Sequence, residues 1–391
     1  MPRLLPLDYP IRNLSRRRLR TLLTGVSSAL VAALFVATSA FVRGLDRTFA
    51  GAAQQDTAIL LSSVSERDVI RSTVVAGLPE IVAASVPNVR VIVGEPAISS
   101  EIHMGTNLRL GDATAPGEVA HQAFVRGVTE RAFLVHSNVT LVEGRPAVSG
   151  EVIVGALVAK QLGVPEDALA IGRRVRFEGG TFTIVGRFTA PGSTTEAEIW
   201  APLAELRGLV KRDDSSVVFV RMQSPDDFAE LDLFAKRRLD LELLVVPSAV
   251  YYRELVDYLR PMQLLAWAMA VMIGAAALFS GANTQNAAVQ DRVRELATLR
   301  AVGYGGSALC TALAIEALVL AAAGGLLGLL LAKLLLAGSA VRIAMSAFEL
   351  RVDAIGILVA FGGVLLIGLL GAAPAAARVL TMPVAAALKE N

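Results

Sequence analysis

The sequence predicts a helical membrane protein with four transmembrane helices and one extracytoplasmic α+β domain inserted between the first and second helices. Three observations lead to this fold class. Of the 391 residues, 54% are hydrophobic and 18% are charged, which is too little charge to cover a soluble domain of this size. Four apolar stretches are each long enough to cross a bilayer. Between the first two lie residues 44–260, which have an ordinary globular composition.

The four predicted spans are recognised by their lack of charge. The hydrocarbon core of a bilayer is about 30 Å thick and requires about 20 helical residues. Thr21–Val42 and Pro261–Gln290 contain no charged residue. Leu309–Leu336 contains Glu316 near its beginning and Lys333 near its end. We therefore assign the spans to residues 21–43, 261–284, 308–336 and 354–377.

Basic residues predict the orientation. Arginines cluster before the first span and between the second and third, whereas the loop after the third span balances its arginines with Glu349 and Asp353. A cleaved signal peptide is the alternative for the first span, but the apolar region of a signal peptide is usually only about 7–15 residues long.

The topology is predicted from the excess of positive charge that cytoplasmic segments carry. It places residues 1–20, 285–307 and 378–391 in the cytoplasm, and residues 44–260 and 337–353 outside.

The inserted domain combines strand and helix patterns. Val175–Val185 alternates apolar and polar residues on both sides of Gly179-Gly180, which is typical of a β-hairpin. Ser248–Leu259 has apolar residues at helical spacing and should lead directly into the second span. Further strands are predicted at Val89–Val93, Glu151–Val154, Val217–Met222 and Leu243–Val246, and helices at Arg67–Ala84, Leu157–Leu162 and Asp226–Arg238.

No sequence motif indicates catalysis. The chain has no phosphate-binding P-loop, no H-E-x-x-H metalloprotease motif and no G-x-S-x-G nucleophile motif. The three histidines, at positions 103, 121 and 136, are too scattered to predict a metal site. Cys310 is the only cysteine, so an intrachain disulfide is excluded. We expect no enzyme activity, no metal and no cofactor in this chain, and nothing indicates nucleic-acid binding.

Two ionisable residues lie inside the predicted spans, where a charge is costly. Lys333 is close enough to the end of the third span to extend its amine to the membrane surface. Glu316 lies deeper and could serve as a proton-relay group, but one isolated carboxylate makes a poor relay. We instead expect a structural contact between Glu316 and the basic segment 292–300.

Glycines of the third span favour close helix packing. Gly324, Gly325 and Gly328 include a G-x-x-x-G pattern, which allows two helix backbones to approach. Gly368 and Gly371 have the same character in the fourth span. The pattern is common in membrane helices, so packing is the default interpretation, and a contact between two copies of the chain is the more specific one.

The segment Asn283–Gly303 predicts an amphipathic helix between the second and third spans. Val293, Leu296 and Ala297 recur at helical spacing among charged residues, and Gly303 is suited to terminate the helix. One alternative is a helix lying on lipid headgroups. Such helices usually carry larger apolar and more basic residues, so docking on another protein is favoured.

This segment, followed by Glu316-Ala317 and by Gly324-Gly325-x-x-Gly328, closely resembles the signature of FtsX-like permeases, the type VII ABC transporter subunits. The segments Ile11–Thr24, Pro374–Arg378 and Pro383–Leu388 also resemble the FtsX-like permeases. Within the inserted domain, four short motifs resemble the periplasmic core domain of MacB-type members: Gly144-Arg145, Glu151–Gly155, Ile171-Gly172 and Phe182–Gly186. Residues 51–120 match least, and substrate or partner specificity could reside there.

The resemblance implies a dimer of permeases, identical or not, bound to two ATPase subunits that hold ATP and magnesium. Because the first span begins near residue 21, we expect the ATPase to be a separate polypeptide. In the family, the loop between spans two and three forms a coupling helix that sits in a groove of the ATPase. ATP-driven closure is converted into movement of the outer domains, which is called mechanotransmission. The residues matching the coupling helix are Arg292, Arg294, Glu295, Leu299, Arg300 and Gly303.

Two functions remain open. The chain could be the permease of an export or lipoprotein-release system in a bacterial inner membrane, with a periplasmic adaptor as a further partner beside the membrane lipids. It could instead transmit force to a cell-wall hydrolase, although the cell-division members have a much smaller outer domain. A secondary transporter is disfavoured because no paired charges or inverted repeats occur in the spans.

Overall fold

The computed structural model describes residues 18–111, 119–343 and 346–383. The predicted basic segment up to residue 17 and the predicted tail from residue 384 lie outside these ranges. The described residues form two compact units. One contains Gly44–Arg260 together with Ala340–Glu349, and is called the inserted domain below; the other contains the remaining described residues and is called the helical unit.

Within the described residues, four helices are long and apolar enough to cross a membrane, which confirms the predicted fold class. The first, α1 (Arg18–Ala52), continues beyond the predicted end of the first span. The second runs without interruption from Ser248 to Gln290 and includes Pro261. The predicted helix at Ser248–Leu259 therefore does lead into the second span.

A mixed ten-stranded sheet forms the centre of the inserted domain. Its strand order is β12-β1-β11-β4-β5-β10-β7-β9-β6, with β8 beside β4 and β9. Most neighbours are antiparallel; β5 with β10 and β7 with β9 are parallel. The strands are β1 (Thr57–Ser62), β2 (Val91–Ile92), β3 (Glu95–Pro96), β4 (Ile98–Leu110), β5 (His121–Val128), β6 (Thr140–Gly144), β7 (Glu151–Gly155), β8 (Arg174–Phe177), β9 (Gly180–Thr189), β10 (Glu198–Pro202), β11 (Val217–Arg221) and β12 (Leu243–Pro247).

The long strand β4 joins the two halves of this sheet. Its first residues pair with β11, its middle with β5 and its end with β8. Short helices cover the sheet and enclose two main hydrophobic cores, one around Phe182 and Ile184 and one around Leu60 and Leu78. These helices are α2 (Leu78–Ser85), α3 (Ala132–Val135), α4 (Val158–Leu162), α5 (Leu203–Val210) and α6 (Phe228–Arg237).

The remaining elements follow β12 in the chain. A β-hairpin between the third and fourth membrane helices belongs to the inserted domain, where Lys160 Nζ lies 3.1 Å from Glu349 Oε1. In the helical unit, Asp353 accepts a hydrogen bond from the Gly356 amide and caps the last helix. The elements are α7 (Ser248–Gln290), α8 (Val293–Ala301), α9 (Gly306–Leu336), β13 (Ala340–Ile343), β14 (Ser346–Glu349) and α10 (Ala354–Thr381).

Two expectations for the inserted domain were wrong or incomplete. The helix predicted at Arg67–Ala84 exists only at Leu78–Ser85. Before it, Glu66 and Arg67 have positive φ angles of 50° and 66°, which no right-handed helix allows. The predicted hairpin is confirmed by β8 and β9. The strands that were not predicted are β1, β3, β4, β5, β6, β10, β13 and β14.

Candidate functional site

The segment between the second and third membrane helices forms the short helix α8. The break from α7 falls at Asp291 and Arg292, where Arg292 leaves the helical region with φ −123° and ψ 15°. The helix ends in a Schellman motif: the amides of Gly303 and Tyr304 donate to the carbonyls of Arg300 and Leu299, each at 3.1 Å. Gly303 has a φ of +105°, a conformation that favours glycine. The predicted role of Gly303 as the end of this helix is observed.

One face of α8 packs on the membrane helices of the helical unit. Leu296 and Ala297 are buried, and Leu299 is partly buried. Leu296 belongs to a cluster with Leu309 of α9 and Val379 of α10, and Leu299 packs against it. These contacts attach α8 to the ends of three membrane helices, including Val289 of α7.

The opposite face of α8 is exposed. Its residues recur at intervals of three and four, so they lie along one side of the helix. Val302, at the end, is 69% exposed although its side chain is apolar. We call this surface the exposed stripe; it consists of Arg294, Glu295, Thr298, Ala301 and Val302.

A buried ion pair fixes the beginning of α8. The Arg292 Nη1 atom donates to Glu316 Oε2 of α9 at 3.3 Å, and both side chains are less than one-tenth exposed. Arg292 Nε also lies 3.6 Å from Glu295 Oε2. The structure thus shows the expected contact between Glu316 and the basic segment.

Arg300 fixes the other end of α8. Its Nη1 atom donates to the carbonyls of Val379 and Met382, at 3.2 and 2.9 Å. These carbonyls lie in the last turn of α10 and just after it, where a helix has no acceptor partners of its own and favours a cation. Arg292, Leu299 and Arg300 therefore face the helical unit, whereas Arg294, Glu295 and Gly303 face outward.

The glycines of α9 are buried within the chain. A Cβ atom at Gly324 or Gly328 would overlap the backbone carbonyl of Gly25 or Ala29 in α1. A Cβ at Gly325 would press against the Phe361 ring at 3.2 Å. These residues allow α1, α9 and α10 to approach closely. A contact with a second copy of the chain stays a prediction.

The inserted domain contains a buried charged network that sequence reasoning missed. Arg126 of β5 donates to Glu101 of β4 at 2.9 Å and to Glu198 of β10 at 2.6 Å. His103 and His136 also bond to Glu101, at 3.1 and 2.7 Å. All five side chains are at most 9% exposed. No local sequence pattern indicated this network, because its members lie in separate segments of the chain, on β4, β5 and β10 and after α3.

Burial and charge act in opposite directions on this network. Burial alone raises the pKa of the Glu101 carboxyl, but the charges of His136 and Arg126 and the hydrogen bonds from both histidines hold that pKa well below its usual value. Burial, reinforced by Arg126, lowers the pKa of His103. Two of the three histidines, His103 and His136, are thus part of a polar cluster in the core.

A cavity of about 300 Å³ lies beside this network. Arg126 and Glu198 line it together with His103 and with phenylalanine and tyrosine side chains. Among the residues of 18–111, 119–343 and 346–383, no group of three or more His, Cys, Asp or Glu side chains is placed to hold a metal ion. The aromatic side chains are Phe49, Phe124, Phe219, Tyr251 and Tyr252.

Two family models match the chain. The model of the MacB-like periplasmic core domain matches residues 21–232. The model of the FtsX-like permease C-terminal matches residues 267–384, which include α8 and the exposed stripe. Together they cover most of both units and leave residues 233–266 unmatched.

Two solved structures are similar to the inserted domain. The periplasmic region of MacB from Actinobacillus actinomycetemcomitans is 11% identical, with a TM-score of 0.39, over 53% of this chain and 94% of that one. The extracellular domain of the noncanonic ABC-type transporter YknZ from Gram-positive bacteria is 14% identical, with a TM-score of 0.37, over 49% of this chain and 99% of that one. No curated protein matches. The family assignment therefore depends on the two family models.

Proposed function

Because the chain belongs to the family of MacB-like and FtsX-like ABC transporter permeases, we propose that it couples ATP hydrolysis by a separate ATPase subunit to movement of its inserted domain. The movement would serve to export a substrate or to extract it from the membrane. The chain itself has no catalytic role in this proposal. ATP and magnesium are expected on the ATPase subunit.

The two faces of α8 carry this proposal. Arg294 and Glu295 are exposed, whereas Arg292 and Arg300 hold the helix onto α9 and α10 from behind. A helix fixed on one side transmits a push to the elements that hold it. The exposed stripe, with mixed charge and a terminal Val302, is suited to recognition by a protein groove.

Besides α1, the chain offers two covalent connections from the membrane helices to the inserted domain, one through α7 and one through the hairpin β13–β14. Helix α7 has 43 residues and therefore extends for about 65 Å from Ser248 to the segment that joins α8. The hairpin β13–β14 connects α9 to α10 and packs in the inserted domain through Ala347, Phe348 and the Lys160–Glu349 pair. These connections support transmission by helices rather than passage of a substrate between them.

The remaining assignments follow from the family and from the charge distribution. We propose that two permease copies assemble with two ATPase subunits in a bacterial inner membrane. Both termini and α8 would face the cytoplasm, and the inserted domain would lie outside. A periplasmic adaptor is a further possible partner, and regulation of a cell-wall hydrolase is the alternative function.

Copurification tests the proposal directly. The full chain would be isolated in mild detergent, and the chains that accompany it identified by mass spectrometry. We expect a P-loop ATPase with the wild type and its loss, by at least about tenfold, with the double charge reversal Arg294→Glu/Glu295→Arg. The matched control is Asp232→Lys/Lys236→Asp, which reverses an exposed pair of α6 whose atoms lie 2.6 Å apart.

The outcomes separate the hypotheses. An adaptor or lipoprotein in the complex would indicate export, and a cell-wall hydrolase would indicate regulation. If no ATPase accompanied the wild type, or if the double reversal retained it fully, α8 would not be the docking element.

A further inference from the structure

A cavity of about 490 Å³ lies among the four membrane helices α1, α7, α9 and α10. Residues of α1, α7, α9 and α10 line it, and most of its surface is apolar. It lies near the end of the helices from which α8 emerges, because Thr284 and Gln285 of α7 and Gly371 of α10 belong to its lining. The proposed coupling of α8 does not involve this cavity.

The lining changes character along the helices. Helices α1 and α7 run in opposite directions, and a Cβ at Gly274 would touch Phe35. The part of the cavity nearest this contact is formed by Val31 and Ala277, with Ala321, Val364 and Ile367. The polar side chains of the lining lie toward α8, where Leu19 and Leu23 also line the cavity. These polar residues are Arg18, Thr24, Ser27, Ser28, Ser280, Thr284 and Gln285.

The surroundings determine what can fill the apolar part. The helices that form the cavity are long and apolar enough to lie in a bilayer, so hydrocarbon is the surrounding medium. An apolar cavity of this kind does not retain water, because water would find too few polar partners. An acyl chain makes the missing van der Waals contacts with the lining.

The polar part determines the headgroup. The Arg18 side chain lines the cavity and is exposed, and the sequence before it contains further arginines. A guanidinium with nearby hydroxyl groups is suited to bind a phosphate. Basic pockets between membrane helices are known to select anionic lipids. The acyl and phosphate sites lie in the order that a phospholipid of one leaflet requires.

We propose that this cavity binds one anionic phospholipid from the leaflet that borders α8. One acyl chain lies between Val31, Ala277 and Val364, and the phosphate lies at Arg18, with the hydroxyl groups of Thr24 and Ser28 between these two sites along α1. The proposal does not depend on the ATPase and stands or falls separately from the proposed function.

The first experiment fills the cavity. Gly281 lines the cavity and a Cβ added there has no heavy atom within 4 Å, so Gly281→Leu is chosen to occupy the cavity. The control is Gly362→Leu, which also has open space but lies on α10 outside the cavity lining. The full chain would be placed in nanodiscs of equal phosphatidylglycerol and phosphatidylcholine, extracted into mild detergent and weighed by native mass spectrometry.

We expect one retained phosphatidylglycerol with the wild type and with Gly362→Leu, and a loss of at least about tenfold with Gly281→Leu. Ser280→Leu fills the same space and replaces Gly281→Leu if that variant does not fold. Equal lipid retention by the cavity-filling variants and the control would overturn the proposal. A cavity-filling variant that keeps its lipid but no longer forms a dimer would also overturn the proposal, because a second copy of the chain would then occupy the cavity.

The second experiment tests the headgroup. Arg18→Gln should reduce the preference for phosphatidylglycerol over phosphatidylcholine by about fivefold, the effect of one arginine near a phosphate. Arg260→Gln is the control: it replaces an exposed arginine of α7 that does not line the cavity, and it should leave the preference unchanged. If Arg18→Gln keeps the full preference, Arg18 does not bind the headgroup and the proposal fails.

Discussion

The Arg292 guanidinium lies 3.3 Å from the Glu316 carboxylate, and each side chain is less than one-tenth exposed. This buried pair joins the residue before α8 to the membrane helix α9. Burying two charges is costly, and the pair offsets that cost only while both partners are present. The contact therefore makes the position of α8 sensitive to either residue.

Removal of one partner should destabilise the helical unit. Glu316→Ala leaves the Arg292 charge buried without its partner, and we expect a loss of about 3–5 kcal/mol of stability. The double variant Arg292→Met/Glu316→Leu should recover most of this loss because no charge remains. Thermal unfolding in detergent measures both. Lys333→Met, at an exposed position of the same helix, is the control and should stay within about 0.5 kcal/mol of wild type.

Arg300 should affect transmission more than docking. Its guanidinium bonds to the carbonyls of Val379 and Met382, so Arg300→Ala releases the end of α8 from α10 and removes about 1.5–3 kcal/mol of stabilisation. We expect the ATPase to copurify with Arg300→Ala while ATP-driven activity falls. Arg300→Lys, which keeps the charge, should lie between Arg300→Ala and wild type. Loss of copurification with Arg300→Ala alone would instead place Arg300 on the docking surface.

The packing of α1 on α9 should not tolerate a methyl group. Gly328→Ala places a Cβ on the carbonyl oxygen of Ala29, and backbone cannot rotate away as a side chain can. We expect a destabilisation of about 1–3 kcal/mol or loss of folding. Gly362→Ala, where the added atom meets open space, should be neutral or slightly stabilising. Thermal unfolding of the two variants side by side provides the measurement, and equal melting temperatures would contradict the close approach.

The inserted domain should lose stability on acidification in two steps. The pKa of His103 is lowered by burial, so the unfolded chain binds a proton first and stability falls as the pH drops below the ordinary histidine value of about 6.5. The pKa of Glu101 is also lowered, so its stabilisation is present above the ordinary glutamate value of about 4.3 and is lost as the pH falls from there toward the folded pKa.

Denaturant unfolding between about pH 2 and pH 8, followed by Trp200 fluorescence in a Trp267→Phe background, measures this dependence. Trp200 is a suitable probe because its Nε1 donates to Glu198 of the network at 3.0 Å. His103→Gln keeps a donor for Glu101 but does not titrate, so it should flatten the step near pH 6.5. His121→Gln, outside the network, should leave that step unchanged. A step that persists in His103→Gln would assign it to another group.

Local sequence patterns predicted the helices and strands that are determined by consecutive residues. Hydropathy located the four membrane helices, and the alternation around Gly179-Gly180 located the hairpin of β8 and β9. The helix expected at Arg67–Ala84 failed because its first part is held by long-range bonds. The Ser72 hydroxyl accepts from the Ser62 amide at 2.9 Å, and the Val74 amide donates to Ser215 at 2.8 Å. Such partners override a helical pattern.

The sequence by itself determined the number of membrane helices, the place of the inserted domain and the family, because uncharged length and local motifs are properties of consecutive residues. It also identified the α8 segment. Only the tertiary structure decided which side of α8 is exposed. Arg292 and Arg300 face the membrane helices because Glu316 and the end of α10 supply their hydrogen-bond acceptors. The Glu101–Arg126–Glu198 network is likewise a product of strand order, which brings residues from β4, β5 and β10 together across the sheet.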